Sequence, residues 1–114
     1  MKLYHVTSAQ GREHAARDGV YRSPAFADEG FIHCAYRDQL PGVLERYFAS
    51  EQKLVILEID RAAVAESLVD ENLLGGGELF PHLYAPLPWT AVLAWHAVDR
   101  GHDGNWPLGF LADG

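Results

Sequence analysis

Alternating polar and apolar positions at the start of the chain predict a half-buried strand followed by a short helix. Residues 2–7 alternate so that His5 and Thr7 share one face of the predicted strand. Ser8 is a residue type that caps helix N-termini, and a helix over residues 9–17 is predicted to follow it and to stop before a glycine. The strand that carries His5 and the helix that follows it are therefore neighbours along the chain.

The middle of the chain changes from a helical period to a continuous apolar run. One face of a predicted helix is formed by five residues at helical spacing: Leu40, Val43, Leu44, Tyr47 and Phe48. Residues 54–59 are nearly all aliphatic, which is typical of a central strand that is buried on both faces. Asp60 can then cap a brief helical turn over residues 61–64.

Several shorter segments complete the predicted fold. Extended structure is predicted for four of them: residues 31–34, 68–70, 78–84 and 90–98. Residues 99–114 are rich in glycine and are expected to form an irregular tail, which Trp106 and Phe110 can anchor on the body of the protein. No internal repeat or linker divides the sequence, so the pattern predicts one α+β domain over residues 1–114 that is dominated by β-structure.

Composition and charge narrow the class of protein. The chain of 114 residues is long enough for one core, and its single cysteine rules out an internal disulfide and fits a reducing compartment. With no signal-like or membrane-spanning apolar run, a cytoplasmic protein without a membrane partner is expected. The net charge of −7 disfavours nucleic acid as a partner, whereas a small anionic ligand stays possible and a protein partner stays unknown.

Glu78 is the strongest single candidate for a reactive group. It follows the glycines Gly75, Gly76 and Gly77 and leads into an apolar run. A carboxylate that enters apolar surroundings is costly unless it has a partner or a task, and the glycines allow a ligand to approach the backbone closely. The alternative is a solvated glutamate at a strand edge behind a flexible turn.

Three separated segments, taken in order, resemble one known family. The segments are Leu-Tyr-His-Val-Thr-Ser at 3–8, Gly-Phe-Ile-His-Cys-Ala at 30–35 and Gly-Glu-Leu-Phe-Pro-His-Leu-Tyr at 77–84. Their order and content resemble the bacterial family of unknown function DUF952, over the chain to about residue 98. That family is remotely similar to the ADP-ribosyltransferase superfamily, in which a histidine lies on an early strand, a histidine or aromatic residue on a second strand, and a glutamate on a late one.

The resemblance implies a fold, a substrate and roles for particular residues. The implied fold is an ADP-ribosyltransferase-like split β-sheet core with a few short flanking helices, and the implied substrate is NAD or an ADP-ribosyl compound. By resemblance, Glu78 and His33 would be catalytic, and His5 would hold a ribose. Cleavage between nicotinamide and ribose builds positive charge on the sugar, so a fixed carboxylate would stabilise the transition state. Further ligand contacts are expected from three residues: Thr7, His82 and Tyr84.

Other interpretations of the same residues stay open. His5 and His33 can be structural, and a zinc site with His82 lacks a close pair or a second cysteine, so no metal is predicted. Cys34 is expected in the core, because neighbouring strand residues point to opposite faces and it cannot pair locally with His33. The alternatives to an enzyme are a non-catalytic module that binds a nucleotide or anion, and a protein-interaction domain that uses the tail around Trp106.

Overall fold

Three antiparallel sheets and three short α-helices form the framework of the computed structural model, which describes residues 1–73 and 76–113. The strands are β1 (Lys2–Thr7), β2 (Val20–Tyr21), β3 (Ile32–His33), β4 (Lys53–Asp60), β5 (Leu68–Glu71), β6 (Phe80–Leu83), β7 (Leu87–Pro88) and β8 (Val92–Asp99). The α-helices are α1 (Ala9–Asp18), α2 (Phe26–Glu29) and α3 (Leu40–Tyr47), and 3₁₀ turns cover Arg61–Ser67, Trp89–Ala91 and Gly109–Asp113. Among these described elements, no helix is both long and apolar enough to cross a membrane.

The strands combine into a three-stranded first sheet, a three-stranded second sheet and a two-stranded ribbon. The first sheet has the order β1-β4-β8, the second has the order β3-β6-β5, and the ribbon pairs β2 with β7. The first two sheets meet where Tyr4 and Ala35 exchange a pair of backbone hydrogen bonds, each 2.8 Å long. This bridge fixes the start of the chain against the residues that follow β3.

The core lies on both faces of the central strand β4, as its sequence predicts. Val55 and Leu57 pack into one apolar cluster with Ile32 of the second sheet. Ile56 points the other way and packs with Leu44 of α3. Because alternate residues of a strand face opposite sides, the unbroken apolar run of β4 supplies two layers of core at once.

The predicted α+β class and its main elements are confirmed, with differences at the shorter ones. The third strand is limited to Ile32–His33, because Ala35 leaves the second sheet to pair with Tyr4. The last strand starts at Val92 after a 3₁₀ turn rather than at Thr90. The predicted irregular tail contains a short 3₁₀ helix at its end. Three elements were not predicted from the pattern: α2, β2 and β7.

Helix α1 is delimited as the sequence predicts. The Ser8 hydroxyl oxygen accepts a hydrogen bond of 3.0 Å from the backbone N–H of Gly11, which satisfies one of the free donors of the first turn. At the other end Gly19 adopts φ +79°, and its N–H donates to the carbonyl of Ala15 at 2.8 Å. The left-handed conformation reverses the chain into β2 and requires a residue without a β-carbon penalty.

Gly19→Ala is expected to lower the free energy of unfolding by about 1 kcal/mol, because an L-residue is strained in the left-handed region. No heavy atom lies within 4 Å of the position that an added β-carbon would take, so the effect is conformational rather than steric. Gly109→Ala is the matched control, since that site is equally open and lacks a positive φ. Urea denaturation measures both; equal stability of the two variants would contradict the expectation.

Candidate functional site

The outer face of the second sheet carries a group of imidazole, aromatic and carboxylate side chains. We call this group the histidine cluster: Phe31, His33, Glu71, His82 and Tyr84. His33 of β3 lies directly opposite His82 of β6 in the strand register, so both rings project from the same face. Phe31 lies two residues before His33, and Tyr84 lies two residues after His82. The alternation of side chains along an extended segment places both on the same face as the histidines.

The rings of the cluster are in mutual contact. The centroids of the His33 and His82 rings are 5.1 Å apart, with the ring planes at 80°. Phe31 stacks on His82 at 4.3 Å and also lies 5.1 Å from the ring of Tyr84. Phe31 is only 5% exposed, whereas Tyr84 is 42% exposed. Phe31 is therefore the floor of the cluster, and the phenol is open to solvent.

Glu71 is the carboxylate that connects the polar groups of the cluster. Its Oε1 accepts a hydrogen bond from the Tyr84 hydroxyl and lies 2.9 Å from Nδ1 of His82. The hydrogen bond from Tyr84 and, to a smaller extent, that from His82 lower the pKa of the Glu71 carboxyl and keep it ionised. The hydrogen bond to Glu71 in turn raises the pKa of Tyr84. An ionised carboxylate is acceptor-only, so His82 Nδ1 carries a proton at this contact.

His82 is thereby oriented as a proton acceptor. With the proton on Nδ1, the neutral ring has its lone pair on Nε2. Within residues 1–73 and 76–113, no group is hydrogen bonded to that nitrogen. Glu71 holds the ring through Nδ1, and Phe31 holds it through stacking. A carboxylate that fixes the tautomer of a histidine is the arrangement that general bases use.

His33 is the exposed imidazole of the cluster. Its side chain is 57% exposed, and its Nε2 lies 3.0 and 3.2 Å from the two carboxylate oxygens of Glu29 at the end of α2. Two imidazoles in contact, each beside its own carboxylate, provide paired donor and acceptor groups on one surface. A ligand that reaches His82 would also contact His33.

His5 and Thr7 lie beneath the cluster rather than in it. Nδ1 of His5 donates to the backbone carbonyl of His33 at 2.5 Å, and its Nε2 lies 2.8 Å from the hydroxyl of Tyr21. That hydroxyl also bonds to Oγ1 of Thr7 at 3.1 Å. Burial lowers the pKa of His5 to about 4, so the ring is neutral near pH 7. The structure therefore gives His5 a buried, supporting position under the backbone of His33, and Thr7 is half-buried beside Tyr21.

The structure does not bring Glu78 to the histidines. Its carboxylate is at the surface, where Nε2 of Gln39 donates to Oε2 at 3.3 Å, and its backbone carbonyl accepts from Asn72. Glu78 precedes His82 by four residues of largely extended chain, which corresponds to about 13 Å. Of the glycines that made Glu78 a candidate, Gly75 lies outside the described residues.

Glu71 and Phe31 are the cluster residues that the sequence analysis missed. A period of two places Phe31 on the face of His33, so this signal was present. Glu71 is the last residue of β5, a strand that was predicted to end one residue earlier, and no local pattern pairs that strand with β6. β5 and β6 are consecutive strands, but no short turn motif joins them, so their register is set by packing of the sheet.

Cys34 is the single cysteine of the chain, a residue type that can bind metal, and it is not part of the histidine cluster. Cys34 is buried in the core, as expected, and burial raises the pKa of its thiol to about 12, which leaves it protonated and inert near pH 7. Across the described ranges, no three or more His, Cys, Asp or Glu side chains are arranged to hold a metal ion.

Comparisons with known proteins identify a family and a solved relative. The family model described as a protein of unknown function, DUF952, matches residues 6–95. A crystal structure of protein CC0527 from Caulobacter crescentus is similar to this chain, with a TM-score of 0.87 and 30% identity over 98% of this chain and 99% of that one. A solution NMR structure of the same protein gives a TM-score of 0.79 and 29% identity, over 90% and 89% of the two chains. No curated protein matches.

Proposed function

This chain belongs to the DUF952 family, and from the geometry of its histidine cluster we propose that it binds a nucleotide of the NAD and ADP-ribose class. The observation that carries the proposal is the convergence of His33, His82, Tyr84 and Glu71 on one face of the second sheet. An exposed phenol and an exposed imidazole offer surfaces on which a flat base can stack. The carboxylate oxygens of Glu71 and the ring nitrogens of the two histidines can form hydrogen bonds with ribose hydroxyls.

The proposed reaction is cleavage at the nicotinamide ribose. The bond between C1′ of the ribose and the nicotinamide nitrogen breaks, and its electron pair leaves with neutral nicotinamide. An acceptor hydroxyl or water forms the new bond to C1′, and its proton passes to Nε2 of His82. Glu71, which lies beside His82, stabilises the positive charge that builds on the sugar. Glu71 takes the place that the sequence resemblance gave to Glu78, because it shares the face of the histidines.

The same proposal includes an ADP-ribosyltransferase-like core. Two features support it: the antiparallel first and second sheets are separate, and they meet at the Tyr4–Ala35 bridge beside β3. The early-strand histidine, His5, lies directly under the second histidine, His33, through a hydrogen bond to its carbonyl. In this proposal His5 is a positioning residue for the backbone of His33 rather than a ligand contact.

The binding step is tested by calorimetry with NAD, ADP-ribose and nicotinamide as separate titrants. We expect ADP-ribose and NAD to bind the wild-type protein, and His33→Asn to weaken that binding about tenfold through loss of a ring contact. His14→Asn removes another exposed imidazole, on α1, and is expected to leave the affinity unchanged. An absence of heat with both nucleotides at millimolar concentration would contradict the proposal.

A binding module without turnover is distinguished in the same samples. If the nucleotides bind at the histidine cluster and free nicotinamide never accumulates from NAD, with water or with added alcohol acceptors, the protein is a non-catalytic nucleotide-binding module. Release of nicotinamide in proportion to protein concentration supports the enzyme.

A further inference from the structure

A cleft of about 610 Å³ opens on the opposite side of the second sheet from the histidine cluster. It lies between the start of β1, the segment that follows β3 and the beginning of the 3₁₀ turn after β4. Six of its lining residues matter here: Lys2, Tyr4, Tyr36, Arg37, Arg61 and Asp70. Its volume is in the range of sites that hold small molecules.

The charge of the cleft contrasts with that of the whole chain. The protein has 16 acidic residues against nine lysines and arginines. The cleft itself is close to balanced, because three of those nine cations, Lys2, Arg37 and Arg61, line it with Asp38 and Asp70, and Lys2 pairs with a third carboxylate, Glu58, at 2.9 Å. The strong negative charge of the whole chain is therefore not concentrated in the cleft, where the arginines can attract an anion.

One of the arginines is held in position by the protein itself. Nε of Arg61 donates to the hydroxyl of Tyr36 at 3.2 Å, and that hydroxyl donates to Oδ1 of Asp70 at 2.6 Å. The guanidinium of Arg61 also lies 3.6 Å from the Asp70 carboxylate. A guanidinium has five N–H donors, so this anchoring leaves most of them available to a ligand.

Arg37 supplies the second guanidinium. It is exposed at the edge of the cleft and makes no ion pair with the described residues 1–73 and 76–113. An anchored arginine and a second arginine line the same cleft, and their planar guanidinium groups can donate several hydrogen bonds to the oxygens of one phosphate group. Tyr36, which is half-buried beside them, provides an aromatic wall.

We propose that this cleft binds a small phosphate monoester whose phosphate is held by Arg37 and Arg61. The site is distinct from the histidine cluster, because Asp70 faces the cleft and its neighbour Glu71 faces the cluster on the other side of β5. The two sites lie on opposite faces of the edge strand β5 and have no residue in common. The proposal for the cleft therefore does not depend on what the histidine cluster binds.

The test is titration of the full chain with inorganic phosphate, phenyl phosphate and benzoate, followed by amide chemical shifts. We expect phenyl phosphate to shift the amides of Tyr36, Arg37 and Arg61, to bind more tightly than inorganic phosphate, and to outcompete benzoate. Arg37→Gln is expected to weaken phenyl phosphate binding about tenfold, which is the loss of a charge-assisted contact. Because Arg37 is exposed, this variant should fold normally.

Arg46→Gln is the matched control, since it removes the same charge from an exposed position on α3. Equal weakening by the two arginine variants, or no saturable shift up to 50 mM phosphate titrant (roughly the limit of useful weak binding), would overturn the proposal, as would preferential binding of benzoate. His33→Asn is expected to leave phenyl phosphate binding unchanged. Failure of the cleft proposal is thereby separated from failure of nucleotide binding at the histidine cluster.

Discussion

Glu71→Gln is expected to reduce nicotinamide release from NAD by about 100-fold or more, whereas Glu78→Gln leaves it within about twofold. Glu71 accepts hydrogen bonds from both Tyr84 and His82, so its charge lies beside the histidine that takes the proton in the proposed reaction. The neutral amide keeps the size of the side chain but removes the charge that would stabilise the sugar cation. Because an amide can present either its oxygen or its NH₂ group, the variant also no longer fixes the tautomer of His82.

The pair of variants is matched, because each converts one glutamate to glutamine, at the end of β5 for Glu71 and in the segment before β6 for Glu78. Initial rates of nicotinamide release at saturating NAD are the measurement, with thermal unfolding to show that both variants are folded. A large loss with Glu78→Gln and none with Glu71→Gln would restore the role that the sequence resemblance gave to Glu78. It would contradict the assignment of the carboxylate to Glu71.

Acidification from pH 6.5 to pH 4 is expected to remove about 3 kcal/mol of stability through His5 alone. Burial lowers the pKa of His5 to about 4 in the folded protein, against about 6.5 in the unfolded chain. Between these two pH values the unfolded state binds a proton at His5 that the folded state does not bind, so the free energy of unfolding falls as the pH falls. Well above pH 6.5 both states are neutral at this residue, and the contribution no longer changes.

The cause is burial of the ring, in a site that is 7% exposed. Nδ1 donates to the His33 carbonyl, which raises the pKa of His5 but does not offset the burial, and Nε2 is bonded to Tyr21. His5→Gln cannot titrate and is expected to lose less stability than the wild type over the same pH interval. Urea unfolding at half-unit pH steps measures the difference between the two proteins. A difference that is constant from pH 7 to pH 4 would contradict a neutral, buried His5.

The parts of the fold that the sequence predicts best are those dictated by local periodicity. The apolar residues of α3 recur at helical spacing, so only a helix places them on one face, and the aliphatic run of β4 can be buried on both faces only as a central strand. Both elements are present as predicted. The strands β2 and β7 have two residues each, which is too short to show an alternation of polar and apolar positions. They exist because their backbone groups pair across 66 to 68 residues of chain, which only the assembled core can specify.

The candidate site was predictable in its histidines and not in its carboxylate. His33, His82 and Tyr84 stand in segments whose extended structure was predicted, and register brings them to one face. The glycine run made Glu78 conspicuous along the sequence, but the chain carries that side chain to Gln39 at another part of the surface. Glu71 is brought to the histidines by the pairing of β5 with β6, whose register no local sequence pattern indicates.

The most direct measurement is proton NMR of the histidine rings while ADP-ribose is added to the wild-type protein. Binding at the histidine cluster is expected to shift the ring resonances of His33 and His82 in a saturable way, while the exposed rings of His14 and His102 stay in place. Saturable binding that leaves both cluster rings unshifted, or no shift at any histidine with millimolar ADP-ribose, would contradict the proposed nucleotide site.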